Sequence, residues 1–136
     1  MNYQINSDPT SSSYKTISPA PMSLLPGVIT VIDGLVVLGL ANSNWFSVPG
    51  APGGGDRTIT FTPSADGTVA TFTALLESSC DGGVTWSAYA HGSALTFDGL
   101  IQVQVLHIVG GLLYRLNPQS LSFGTATGVS VTAALS

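Results

Sequence analysis

Charged side chains are scarce in this sequence. The chain carries three basic and seven acidic residues among 136. A folded chain of this mass exposes about 6,700 Å², which gives about one charge per 670 Å². In ordinary soluble domains about a quarter of the residues are charged. Because low charge promotes association, we expect part of the surface to be buried against partners. The alternative is that Ser, Thr and Gly keep the whole surface soluble.

Other scarcities bear on the class of protein. Lys15, Arg57 and Arg115 are too few to form the basic face that nucleic-acid binding requires. The longest apolar run, residues 27–41, contains Asp33 and is shorter than the roughly 20 residues of a membrane-spanning helix, so we predict no membrane span. No basic n-region precedes an apolar stretch, so no signal peptide is predicted. The single cysteine, Cys80, permits no intrachain disulfide, which fits synthesis in a reducing cytoplasm.

The N-terminal 26 residues differ from the rest of the chain. They hold Pro9, Pro19, Pro21 and Pro26, half of the chain's eight prolines, and their apolar residues follow neither a period of 2 nor one of 3.6. Residues 1–26 therefore read as an extended arm without a core of its own. A solvated tail has little use for the large side chains found there, and we expect the arm to order on a neighbouring subunit rather than fray. Those side chains are Tyr3, Ile5, Tyr14, Ile17, Met22, Leu24 and Leu25.

Residues 27–136 alternate between short β-rich runs and clusters of Gly, Pro, Asn and Asp. No window shows a sustained helical repeat, and we predict no helix longer than two turns. The spacing of eight to ten short strands predicts one all-β domain, a β-sandwich or jelly roll. The dipeptide Asp33-Gly34, a favoured hairpin turn, predicts a hairpin that joins strands at residues 28–32 and 35–40.

The sharpest local signal is the segment SCDGGVTW, residues 79–86. It fits the pattern Ser-x-Asp-x-Gly-x-Thr-Trp and resembles the Asp-box hairpins that recur in sialidase propellers. In those enzymes the box is a repeated fold element and not the catalytic centre. It occurs once here, so we interpret it as a structural hairpin in which the Asp caps the turn and the Trp packs over the base. The hairpin residues are Ser79, Asp81, Gly83, Thr85 and Trp86.

No set of residues predicts catalysis, a metal or a cofactor. His91 and His107 are the only histidines, and a zinc site needs three or four ligands. No basic residue near Cys80 in the sequence would activate it. Glu77 is the one carboxylate on a predicted strand and is expected to pair with Arg57 or Arg115, or to face a subunit boundary. Four aspartates directly precede a glycine in a turn, which explains them without catalysis: Asp33, Asp66, Asp81 and Asp98.

Two segments carry a resemblance to a known group. Residues 75–86 (LLESSCDGGVTW) resemble a strand and turn of small tailed-bacteriophage virion proteins, and residues 114–117 (YRLN) through 129–133 (VSVTA) resemble their closing strands. With the arm and the low charge, the chain looks like a capsid decoration or cement protein. The resemblance implies a location on the capsid surface of a virion, the major capsid protein as partner, and self-association as a trimer or dimer. Of the two, we expect a homotrimer. It carries no functional residue over.

A second function stays open. A carbohydrate- or receptor-binding module of a phage tail would present aromatic rings around a groove, and Trp45, Trp86 and Tyr89 are the candidates for that role. Core packing is the other fate for Trp45 and its neighbour Phe46. An enzyme is the third and most distant reading.

Overall fold

The computed structural model describes residues 22–23, 28–49 and 56–136, and this part of the chain is all-β as predicted. Its only helical elements are two three-residue 3-10 turns, Val37–Gly39 and Asp98–Leu100. No helix in these ranges has the length and apolar character needed to cross a membrane. The ten strands of the described ranges are β1 Met22–Ser23, β2 Val28–Leu35, β3 Phe46–Ser47, β4 Arg57–Ala65, β5 Val69–Ser79, β6 Ser87–Ala88, β7 Ala94–Thr96, β8 Val103–Ile108, β9 Leu113–Phe123 and β10 Val129–Leu135.

The strands form two sheets. Sheet A has the order β1-β3-β9-β5-β6, and β7 also pairs with β5. Sheet B has the order β2-β10-β4-β8. All pairings are antiparallel except the short parallel one between β1 and β3, where Met22 lies opposite Phe46. The first strand of sheet A therefore lies within the segment that the sequence assigns to the arm.

The two sheets share one hydrophobic core. In β4 and β10 buried side chains alternate with partly or fully exposed ones, which is the pattern of strands with one buried face. Phe46 of sheet A contacts Phe61 of sheet B at 6.1 Å between ring centroids, and Phe61 contacts Phe97 at 6.4 Å. Tyr114 stacks on Phe46 and is fully buried. Burial raises the pKa of the Tyr114 phenol well above its usual value, so this hydroxyl stays protonated and donates to the Val109 carbonyl.

The predicted hairpin at Asp33-Gly34 is wrong. Strand β2 continues through both residues to Leu35 and pairs with β10. Leu35 lies opposite Val129 and Ile32 opposite Val131, so Asp33 and Gly34 together face one residue, Ser130. This is a β-bulge, and Gly34 supplies its positive φ of 73°. The chain does not reverse direction at Gly34. The Gly34 N–H instead donates to the Ser130 hydroxyl of β10, a strand far away in sequence.

Ser43 joins the loop after β2 to sheet A. The Ser43 N–H donates to the Leu116 carbonyl, and the Leu116 N–H donates to Ser43 Oγ, both at 2.8 Å. The side chain is 8% exposed. One serine therefore satisfies two backbone groups of β9 where no further strand pairs with them.

Replacing Ser43 by alanine is expected to lower the free energy of unfolding by about 1–3 kcal/mol, because the buried Leu116 N–H loses its acceptor. Urea denaturation measures this. The control is Ser64→Ala on the exposed side of β4, which should change stability by less than about 0.5 kcal/mol. Equal unfolding midpoints for the two variants would contradict the role given to Ser43.

Candidate functional site

The turn after β5 is organised by the carboxylate of Asp81. Asp81 Oδ1 accepts a hydrogen bond from the Thr85 N–H at 2.9 Å and from the Ser79 hydroxyl at 2.7 Å. Asp81 Oδ2 accepts from the Thr85 hydroxyl. The Gly83 N–H donates to Ser79 Oγ at 2.9 Å. Ser79, Asp81, Gly83 and Thr85 thus form one closed network, which we call the Asp81 turn.

Trp86 attaches this turn to the outer face of sheet A. Its Nε1–H donates to the Gly83 carbonyl at 3.0 Å. Its ring lies 5.2 Å from that of Trp45, between centroids, and the Arg115 guanidinium lies 4.4 Å from its centroid. Gly83 lies so close to Trp45 that a Cβ placed there would be 2.4 Å from the Trp45 ring. The two indoles are therefore half-buried and held by contacts within the protein.

Arg115 continues the cluster across two strands. It lies opposite Glu77 in the β9–β5 register, and its Nε donates to Glu77 Oε1 at 2.7 Å. Asn117 donates to the other oxygen of Glu77 at 3.2 Å. The Arg115 and Glu77 side chains are 18% and 12% exposed. Of the two partners expected for Glu77, Arg115 is the one it pairs with, and cation–π stacking on Trp86 adds a second contact to the same arginine.

The hydrogen bonds of the Asp81 turn favour the charged carboxylate. The pKa of Asp81 lies well below its usual 3.8. The largest cause is the hydrogen bond from the Thr85 side chain, followed by those from the Thr85 N–H and the Ser79 side chain. A carboxyl whose folded-state pKa is depressed stabilises the fold above the unfolded-state pKa, and that contribution is lost as the pH falls towards the folded-state value. Two hydrogen bonds from Thr127, one from its hydroxyl and one from its backbone N–H, likewise lower the pKa of Asp66.

We therefore expect the melting temperature to fall as the pH is lowered below about 4. The variant Asp81→Asn should melt lower than wild type at pH 7 and show a shallower decline in acid, because one titrating group is removed. Asp66→Asn should remove a further part of the decline. Scanning calorimetry between about pH 2 and 7 measures the slopes. A wild-type slope retained in both variants would assign the acid sensitivity to other groups.

Of the four aspartates that precede glycine, three accept a backbone N–H. Asp81 takes that of Thr85, Asp66 takes that of Thr127 at 2.8 Å, and Asp98 takes that of Phe72 at 2.8 Å. Asp33 differs, because its one described contact is a 3.4 Å hydrogen bond from the Ser130 hydroxyl.

The remaining sequence candidates do not converge on one site. Tyr3, Ile5, Tyr14 and Ile17 lie outside the described residues. Cys80 is exposed with a free thiol. His107 contacts Asp56 at 2.8 Å, whereas His91 packs on Tyr89. Tyr89, a candidate for a sugar platform, is buried at 5% exposure and donates its hydroxyl to the His107 carbonyl. Across the described ranges no three His, Cys, Asp or Glu residues lie close enough to hold a metal ion.

The outer face of sheet B is almost free of charge. In its described strands, the exposed positions between buried ones carry hydroxyl, amide or aliphatic groups. Ionisable groups lie only at the two ends of the face, with Asp33 at one end and the Asp56–His107 pair at the other. Gln102 and Gln104 donate to the hydroxyls of Thr62 and Thr60 across the strands. The face comprises Val28, Thr30, Thr60, Thr62, Ser64, Gln104, Leu106, Ser130, Thr132 and Ala134.

Residues 36–40 (VVLGL), which follow β2, form an exposed apolar loop where the sequence predicts a strand. Leu38 is 100% exposed, and Val36, Val37 and Leu40 are between 39% and 45% exposed. We call this segment the 36–40 loop. A groove of about 330 Å³ lies beside it, lined by both β2 and the loop. The apolar side chains of the loop favour burial within the domain, and no local signal separates burial in a core from burial against a partner.

The comparisons with known proteins add no relative to this description. No family model, no curated protein and no solved structure matches the chain.

Proposed function

We propose that the chain is a structural virion protein, a capsid decoration or cement protein that binds and stabilises the major capsid shell of a tailed bacteriophage. The observation that carries the proposal is the surface of the described residues: an outer face of sheet B that is uncharged between its two ends, together with the fully exposed Leu38 of the 36–40 loop. The assignment to a bacteriophage virion comes from the sequence resemblance at residues 75–86 and 114–133.

Such a surface favours binding to protein over binding to water. Exposed apolar groups that cluster mark interaction sites, and docking an uncharged face desolvates no ion. Threonine and serine have short side chains, so ordering them at an interface costs less entropy than ordering lysine or glutamate. The pairs Gln102–Thr62 and Gln104–Thr60 already restrict the longest side chains of the face.

The area of sheet B shows why an arm belongs to the proposal. Four strands about 4.8 Å apart and about 20 Å long offer roughly 400 Å² of flat face. A standard specific interface buries about 800 Å² per partner, so the face supplies about half of what a stable contact needs. Residues 1–21, the part of the predicted arm that precedes β1, are proposed to supply the rest on a jelly-roll-like sandwich, with Tyr3, Ile5, Tyr14 and Ile17 among the contacts, in a homotrimer.

Immunogold microscopy of the source particles tests the location. With antibodies against the purified chain, we expect gold over the capsid and none over the tail. Label confined to the tail would favour the second candidate function, and particles without label would end the virion assignment. Static light scattering of the purified chain tests the trimer, for which we expect three times the 13.9 kDa chain mass.

A carbohydrate-binding tail module remains the second candidate because Trp45 and Trp86 lie on the solvent side of sheet A and not in the core. Three contacts weigh against it. The rings pack on each other, Gly83 covers Trp45, and Arg115 occupies a face of Trp86. A glycan array with the purified chain separates the two, since the capsid proposal expects no glycan signal that depends on Trp86.

A further inference from the structure

The groove beside the 36–40 loop runs along a strand edge. One wall is the edge of β2 and the other is the loop that runs from Val36 to Asn44. The walls meet where the Asn44 N–H donates to the Val31 carbonyl at 3.0 Å. In the described part of sheet B, β2 is paired on one side only, with β10. An extended segment can add to an open strand edge of this kind by main-chain hydrogen bonds.

Asp33 sets the charge of the groove. It is exposed, it is the only ionisable residue among the described residues that line the groove, and its one described contact is the long hydrogen bond from Ser130. Every other described carboxylate has a partner within 2.9 Å. Those partners are Asp56 with His107, Asp66 with Thr127, Glu77 with Arg115, Asp81 with Thr85, and Asp98 with Phe72. An occupant that carries one cation between apolar side chains matches this lining.

The chain itself contains one such segment. Lys15 is the only lysine, and it stands in the sequence Tyr14-Lys15-Thr16-Ile17 of the N-terminal arm. Of the other basic residues, Arg115 is paired with Glu77 and stacked on Trp86. Arg57 donates to the Pro49 carbonyl, at the end of sheet B that is opposite to Asp33. Because Lys15 and Asp33 belong to the same sequence, a second copy of this chain matches the groove better than a foreign partner does.

We propose that residues 14–17 of a second copy dock in the groove between β2 and the 36–40 loop, with Lys15 facing Asp33. This inference rests on the proposed function, because it assigns the surface on which the arm of a neighbouring subunit lies. Each copy then gives an arm to one neighbour and receives one from another, and in the proposed homotrimer three such head-to-tail contacts form a closed ring. The arm also covers the exposed side chains of the loop.

The second copy is chosen over the chain's own arm on grounds of reach. The groove begins at Asn44, two residues from Phe46, with which Met22 pairs. The seven-residue spacer from Lys15 to Met22 contains Pro19 and Pro21, which favour an extended backbone of about 3.1 Å per residue and hence a span of about 22 Å. An extended spacer of this length favours a groove on a neighbouring copy over the one that starts beside its own attachment point.

Charge exchange between copies tests the contact. Lys15→Asp and Asp33→Lys each place like charges at the site, and each is expected to weaken self-association roughly tenfold or more in sedimentation equilibrium. In a mixed trimer the two variants pair Asp with Lys at two of the three contacts, so an equimolar mixture should recover at least about threefold of the lost association. The double variant Lys15→Asp/Asp33→Lys pairs Asp with Lys at every contact and should associate to within about threefold of wild type. The matched control is Asp56→Lys, which makes the same charge change at the opposite end of sheet B and should leave association unchanged.

The outcomes separate the alternatives. Rescue by mixing supports the contact between copies. Rescue only when both changes are in one chain means that the arm docks on its own groove, which overturns the choice of a second copy. Single variants that associate like wild type overturn the site, and so does a monomeric wild-type chain. The immunogold result stands apart from all of these, so failure of this contact and failure of the virion proposal are distinguishable.

Crosslinking gives a second readout that does not depend on charge. In a Cys80→Ser background, Lys15→Cys and Asp33→Cys proteins are mixed and oxidised. We expect a covalent dimer in the mixture and little in either protein alone. Equal crosslinking in all three samples would indicate random collision and overturn the assignment.

Discussion

Replacing Gly83 by alanine is expected to lower the free energy of unfolding by about 2–5 kcal/mol. Two costs add at this position. Gly83 has a φ of 92°, a conformation that costs a residue with a Cβ about 1–2 kcal/mol. The new methyl group would also lie 2.4 Å from the Trp45 ring, and overpacking of this kind costs about 1–3 kcal/mol. Displacement of Trp45 then disturbs its contact with Trp86.

Gly82→Ala is the matched control because the two glycines are neighbours in the same turn. Gly82 has a φ of 78°, but no atom lies within 4 Å of the position that a Cβ would take there. Its replacement should therefore show the backbone cost alone, about 1–2 kcal/mol. Urea denaturation of both variants, followed by tryptophan fluorescence, measures the difference. If Gly82→Ala were as destabilising as Gly83→Ala, the close approach to Trp45 would not be the cause.

Deleting residues 1–21 is expected to abolish capsid attachment and self-association while the domain stays folded. The deletion stops before Met22 because β1 pairs with β3 and belongs to sheet A. The core side chains of the described ranges all lie after residue 30, so the truncated chain should melt within a few degrees of wild type. Its loss of binding follows from area, since sheet B alone offers about half of a standard interface.

Two full-length variants show what the arm contributes. Changing Tyr3, Ile5, Tyr14 and Ile17 together to serine keeps the length of the arm and removes its apolar anchors, and should reproduce the deletion. Changing Ser11, Ser12 and Ser13 to glycine should leave binding intact. Attachment is measured by cosedimentation with capsids that lack the protein. Full binding by the deleted chain would mean that the arm takes no part in attachment.

The class of fold was predictable because the alternation of apolar and polar residues within each strand indicates which face is buried. Ile59 and Phe61 alternate with threonines in β4, and the buried positions of β10 alternate with polar or small ones. What escaped prediction depends on partners far along the chain. The bulge at Asp33 and Gly34 exists because Ser130 lies opposite both residues, and nothing within a few residues of Gly34 distinguishes a bulge from a hairpin turn.

The same division holds for the candidate site. The Asp81 turn is local, because all of its hydrogen bonds join residues at most four positions apart, and a short motif suffices to indicate it. Trp45, directly before β3, and Arg115 of β9 reach the turn from distant parts of the chain, so their part in the cluster needed the three-dimensional structure. The exposure of the 36–40 loop was missed because hydrophobic sequence alone favours burial inside the domain.

The position of β10 bears on how the domain is made. This strand, the last of the ten, lies between β2 and β4 and bonds to both. One of its contacts, from Gly34 to Ser130, joins residues 96 positions apart. During synthesis, β2 and β4 therefore emerge long before β10, the strand that separates them. The apolar faces of both strands stay unpaired with β10 until then. Folding should be slow and late, as expected for high contact order. We therefore expect the chain to be more prone to aggregation before β10 has joined sheet B than after folding is complete.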